Sequence, residues 1–225
     1  MDDDWVMRRG GRAIDPLSVQ SPISAKKKLG VLKKFLNKGI APVFFSYYRT
    51  KKQNAGGVKM LAELPYDRES VLEYARVWAF QRNPAFINFD KMGGDCTNFA
   101  SQCIYAGCRV MNYTPIFGWY YKSSSDRTPS WSGVQYLYNF LTTNKGTGPY
   151  AETTDISGLE VGDILQLGDE EGHFYHSPVI VGITNEDVFV AAHTYDAYMR
   201  PLSSYFYSSI RFLHISGFRK YIPDS

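Results

Sequence analysis

From Tyr66 to Thr143 the apolar positions recur with helical spacing, and beyond that point they shorten into the runs and alternations of strands. Val71, Leu72, Ala75, Trp78 and Ala79 follow an i, i+3, i+4 pattern behind Asp67, which suits an N-cap, and Asn83-Pro84 should close this helix. A second helix should begin near Cys96, with Phe99, Ala100, Cys103 and Ile104 facing inward and Gly107 as its stop. A third, over 131–143, carries Val134, Leu137, Tyr138 and Leu141. The later segments LEVGDILQLG (159–168), HSPVIVGI (176–183), DVFVAAHT (187–194) and SGFRKYI near the end are rich in β-branched and aromatic residues between turn-forming ones. Helices first and an antiparallel sheet afterwards predict an α+β fold rather than alternating parallel units.

Composition bounds the rest. With 225 residues, 44% hydrophobic and 16% aromatic, the chain can bury the core of one ordinary domain with an appendage. The texture places an N-terminal extension at 1–65 and the domain at 66–225. A net charge of +3, left from 25 basic and 22 acidic residues, argues against nucleic acid as a partner. The basic stretch KKKLGVLKKFLNKG (26–39) could put Leu29, Leu32, Phe35 and Leu36 on one side of a helix. Packing on the body is the expected use of that face, and a membrane surface the lesser alternative. The N-terminus has no apolar export core and no segment reaches the ~18 apolar residues of a membrane span, so the expectation is a soluble, cytoplasmic chain.

Cysteine usage points the same way. Three cysteines, Cys96, Cys103 and Cys108, do not make the even-numbered framework of a secreted domain. On one helix Cys96 and Cys103 would be about 10.5 Å apart along the axis, out of reach of a disulfide. Neither C-x-x-C nor H-x-x-x-H spacing occurs, so the sequence calls for no zinc site and for no cofactor.

Within GGDCTNFASQCIYAGC (93–108), Cys96 sits at a helix start, where unpaired amides and the helix dipole favour thiolate and suit a nucleophile. Gly93-Gly94 allow a sharp bend ahead of it. Asp95 opposes a thiolate electrostatically and is better read as a cap or backbone ligand. Cys103 lies mid-stripe and reads as filler. A thiol nucleophile needs a base, to be found among His173, His176, His193 and His214. His176, entering an apolar strand, is the best placed. Its orienting partner depends on the hairpin turn TNED. Pairing Ile183 with Val188 sets His193 diagonally beside His176, whereas a loop one residue longer sets Asp196 opposite it.

Together these motifs, GGDCTNFASQCIYAG with YDRESVLEYARVWAFQRNPAF ahead of it and LEVGDILQL, YHSPVIVG and AAHTYD behind, resemble the putative amidase domain family of papain-like cysteine hydrolases over roughly 66–220. The resemblance implies a papain-like core in which a helix carries the nucleophile and the following sheet its base. Carried over by position, Cys96 falls on the nucleophile, His176 on the base, and His193 or Asp196 on the third polar position. Cys108 departs from the family's tendency to a second glycine there. The implied reaction cleaves an amide or peptide bond in an amide- or peptide-containing substrate through a cysteine thioester. Acyl transfer to an amine by the same residues, and an inactive binding module, are the alternatives. Asn98 reads as a structural polar contact, and the aromatic stretch 113–131 either walls a cleft or packs.

Overall fold

The computed structural model describes residues 59–223. Sequence-predicted features at 1–58, including the basic stretch 26–39, lie outside the described residues. Four helices precede most of the sheet: α1 (Arg68–Trp78), α2 (Cys96–Cys108), the single turn α3 (Pro129–Ser132) and α4 (Val134–Thr143). The strands are β1 (Lys59–Leu64), β2 (Gly148–Thr154), β3 (Ile164–Gly168), β4 (Phe174–His176), β5 (Val179–Ile183), β6 (Val188–Ala192), β7 (Ala197–Pro201) and β8 (Ser209–Pro223). The result is an α+β fold whose sheet pairings are antiparallel, in the order β1-β8-β3-β5-β6-β7, with β2 also on β8 and β4 also on β3.

Asp67 caps α1 as its position suggests, accepting from the Ser70 amide at 3.0 Å. Gly107, in contrast, does not end α2, which continues through Cys108 to a left-handed Arg109 (φ 54°). The glycine is needed sideways: a Cβ there would stand 2.4 Å from the Tyr66 ring and 2.7 Å from Val71. The third predicted helix is broken at Gly133, whose extended conformation separates α3 from α4.

Helix α2 is central rather than amphipathic. Every residue in it except Tyr105 is buried, polar ones included, and it contains no charged residue. Such burial requires partners. Asn98 donates to the Ile87 carbonyl and to Asp95 and accepts from the Trp131 indole. Ser101 accepts from Trp119, Gln102 from Tyr74, and Thr97 donates to Ser177. The aromatic stretch 113–131 therefore packs: Trp119 and Trp131 are fully buried, 4.9 Å apart in the main core.

Strand alternation divides the apolar residues between two cores. Ile164, Val179, Val181 and Ala191 face the helices, while Leu165, Leu167, Ile180, Val188 and Val190 join Leu159 and Leu202 on the other side. Lys59–Leu64, part of the stretch read as an extension, pairs with the last residues of β8. Arg68 ties α1 to the sheet through Asp163 (2.7 Å) and the carbonyls of Val161 and Ile215. His214 completes this anchor, 3.0 Å from the other Asp163 oxygen.

Candidate active site

The segment that places His176 differs from its sequence reading. Instead of opening a strand over 176–183, His176 is the last residue of β4, opposite Leu167 of β3. Pro178 has no amide hydrogen to donate, and the ladder breaks at Ser177-Pro178 before resuming at Val179. Both pieces run along β3, with the Pro178 carbonyl accepting from Leu165 at 3.0 Å.

The first turn of α2 docks against that break. The Cys96 sulfur lies 3.8 Å from the Tyr175 carbonyl, and the Ser177 amide also reaches it. The Thr97 hydroxyl, 3.8 Å from the sulfur, bonds Ser177 Oγ at 3.2 Å. The structure thus seats the thiol against the backbone on both sides of His176.

Electrostatics set the resting protonation of both groups. Burial pushes the Cys96 thiol up, Asp95 adds to this, and the contacts from Ser177 and Thr97 only partly offset it. The thiolate expected from the helix start is therefore not the resting form, because desolvation outweighs the dipole. Burial, reinforced by the Arg200 charge, lowers His176 from 6.5 to about 4. Its ring packs against Tyr205 at 5.8 Å, and the Arg200 guanidinium covers the far ring at 4.0 Å. At neutral pH the site holds a neutral thiol and a neutral imidazole.

The hairpin β5–β6 starts in the anticipated register, Ile183 opposite Val188. An irregularity at Val181 shifts it by one, so Ile180 pairs with Val190 and Val179 with Ala191. His193 consequently turns into the protein, stacks on Phe99 at 4.0 Å and uses both ring nitrogens there: Nδ1 lies 2.5 Å from Asp95 Oδ2 and Nε2 2.8 Å from the Trp78 carbonyl. Asp196 accepts from Arg82 at 2.7 and 3.1 Å. The hydrogen bonds of both candidate orienters run to the Asp95–Arg82 side and not to His176, which corrects the geometry drawn from an unbroken hairpin.

Sequence reasoning missed Arg82, Asp90, Thr194 and Tyr205. Arg82 joins Asp90 (2.8 Å) and Asp196 (2.7 Å) and approaches Asp95 at 3.6 Å. No periodicity marks such a bridge; the one signal was the run of polar residues in a helix devoid of charge, which implies buried partners. Among the described residues, Asp169, Glu171 and His173 bring potential metal-ligating atoms within 4.8 Å of one another, but on an exposed turn where Asp169 already bonds His173. No helix among the described residues is long and apolar enough to cross a membrane.

Beside His176 an open groove of about 420 Å³ is lined by Tyr175, Tyr205, Phe206, Tyr207 and Asp169, among others. Tyr175 and Phe206 are linked across it by a 3.1 Å hydrogen bond.

Residues 65–215 match the family model described as a putative amidase domain. The chain is also 33% identical over 139 residues to the uncharacterized protein YhbB of Bacillus subtilis, a match covering 60% of this chain and 43% of that protein. It thus spans less than half the length of that relative. No solved structure matches the chain.

Proposed function

Because the chain belongs to the putative amidase domain family, we propose that it hydrolyses an amide or peptide bond, with Cys96 as nucleophile and His176 as its base in a papain-like arrangement. The observation that carries this reading is the docking of the Cys96 sulfur on the 175–177 backbone.

The chemistry follows from the neutral resting pair. As sulfur bonds to the substrate carbonyl carbon, His176 takes the thiol proton. The oxyanion that develops meets the Cys96 amide, one of the helix-start donors that lack an intrahelical acceptor. Collapse breaks the C–N bond, and His176 returns the proton to the leaving amine. Water then attacks the thioester, again giving a proton to His176; the C–S bond breaks and the proton goes back to sulfur. Asn98 takes no part, since its amide is committed on both sides within the fold.

The aromatic groove next to His176 suits a flat or apolar portion of the substrate. The test is turnover of N-acyl peptide anilides combined with mass spectrometry of the intact protein. An acyl adduct on Cys96, lost together with turnover in Cys96→Ala, is the expected result. Undiminished turnover in that variant would overturn the reading. Adding a primary amine during turnover separates hydrolysis from transfer, since transfer yields the new amide in place of the acid.

A further inference from the structure

The hydrogen-bond pattern around His193 constrains where a proton must sit. A carbonyl oxygen can only accept, so the 2.8 Å contact to Trp78 requires hydrogen on Nε2. If that were the ring's single proton, Nδ1 would present a lone pair to Asp95 Oδ2 at 2.5 Å, and an ionised carboxylate has only lone pairs to offer. A second proton therefore lies between the two residues. Both side chains are about 1% exposed, so no water can mediate the contact. The remaining partners of Asp95 are donors. Its Oδ1 accepts from the Phe89 amide and from Asn98, each at 2.9 Å, and Arg82 Nε stands 3.6 Å from Oδ2. The other charges nearby, Asp90 and Asp196, both pair with that same arginine.

What this pair holds is the approach to the nucleophile. Asp95 directly precedes Cys96, and its Oδ1 fastens the loop from Phe89, which Gly94 closes by donating to the Phe89 carbonyl at 3.1 Å. The Asp95 amide donates to Thr194 Oγ1 at 2.7 Å, and Thr194 and Tyr195 are held at φ 60° and 74°, a conformation that costs energy unless its surroundings enforce it. Gly93 and Gly94, at φ 96° and 105°, let the loop pass so close that a Cβ on Gly94 would stand 3.1 Å from Thr194 Oγ1. Three segments, the end of α1 through Trp78, the 89–95 loop and the chain leaving β6, thus converge on one buried carboxylate–imidazole contact.

We propose that Asp95 and His193 share a proton and act as a positioning pair on the thiol side of the site, His193 holding Cys96 in place through Asp95 rather than orienting His176. This rests on the reading of Cys96 as nucleophile. Without His193 the Asp95 carboxylate keeps its burial and loses its closest partner, so the loop and the first turn of α2 must rearrange.

Nuclear magnetic resonance of the ¹⁵N-histidine-labelled full chain tests the pair without any substrate. At neutral pH both His193 nitrogens should carry protons. In Asp95→Asn, where the amide can donate to Nδ1, only Nε2 should. A His193 with one protonated nitrogen in the wild type overturns the proposal. The kinetic arm uses His193→Gln and His193→Ala, with Cys96 alkylation by iodoacetamide as the readout of thiol placement. Alkylation and kcat should fall together, roughly 10- to 100-fold, with the acid limb of the pH profile unmoved. Unchanged alkylation with a displaced acid limb would instead make His193 the partner of His176. If the thiol reading itself were wrong, turnover would survive Cys96→Ala while the labelling result on His193 stood.

Discussion

The Cys96 sulfur rests 3.8 Å from the backbone carbonyl of Tyr175, the residue before His176, although 79 positions separate the two in the chain. This contact crosses from the first turn of a buried helix to the last residues of a three-residue strand. It seats the thiol against the strand that ends in His176, and burial favours the neutral form of both groups; the first prediction follows from that.

Activity should persist well into acid. With His176 lowered to about 4 and Cys96 raised, the competent neutral pair prevails between those limits, so kcat/KM should lose its acid limb near pH 4 rather than 6.5. A thiolate–imidazolium pair would give a neutral-pH plateau in the iodoacetamide alkylation of Cys96; here alkylation should climb steadily as the thiol ionises above neutrality. The same shift affects stability. Between pH 6.5 and about 4 the unfolded chain binds a proton on His176 that the folded chain refuses, so stability falls as pH drops through this window and gains no further loss from His176 below it. Denaturant titrations of wild type and His176→Gln at pH 7 and pH 4.5 would show the wild type losing more.

Tyr205 should set that low value, because its ring forms one wall against His176. Tyr205→Ala opens the wall to water and moves the acid limb of kcat/KM upward toward 6.5. Tyr205→Phe keeps the ring and should leave the limb in place. Profiles recorded on the three proteins decide between a desolvating role and none.

Arg82 and Asp196 form one ion pair but should respond unequally. Arg82→Met leaves Asp95 buried with one cation fewer, at an expected cost of about 1–3 kcal/mol in denaturant unfolding. It should also release Asp90, whose carboxyl the Arg82 hydrogen bonds hold below the usual range; the stability Asp90 contributes is present above the ordinary carboxylate value and lost as pH falls through its lowered one. Asp196 is about one-third exposed, so Asp196→Ala should cost less than ~1 kcal/mol and, since it does not bond His176, change kcat/KM only slightly.

Gly107→Ala should destabilise the fold by about 1–3 kcal/mol without touching the chemistry, since the new methyl would collide with Tyr66 and Val71. Thermal melts give the loss. Alkylation of Cys96 in the folded variant should be unchanged.

Much of the helical half was legible in the chain. The α1 stripe supplied Val71, Ala75 and Trp78 to the core, Asp67 capped it, and Cys96 opens its helix where the Gly-Gly-Asp-Cys order suggested. Local signals suffice when both the pattern and its punctuation lie within one element. They did not suffice for β2, nor for the first half of the 15-residue β8, of which the sequence marked only SGFRKYI at 216–222; the partners of both are remote strands. The fate of Gly107 was equally hidden, because the ring that forbids a side chain there comes from Tyr66.

For the site, the sequence by itself singled out the candidate pair: a cysteine at the start of a helix without charge, and a histidine ahead of an apolar strand. Tertiary structure decided their company. A one-residue irregularity at Val181 turned His193 away from His176 and into a buried bond with Asp95, and burial replaced the expected thiolate with a thiol. Register and desolvation both depend on what packs against an element from elsewhere in the chain, and spacing within the element carries no record of it.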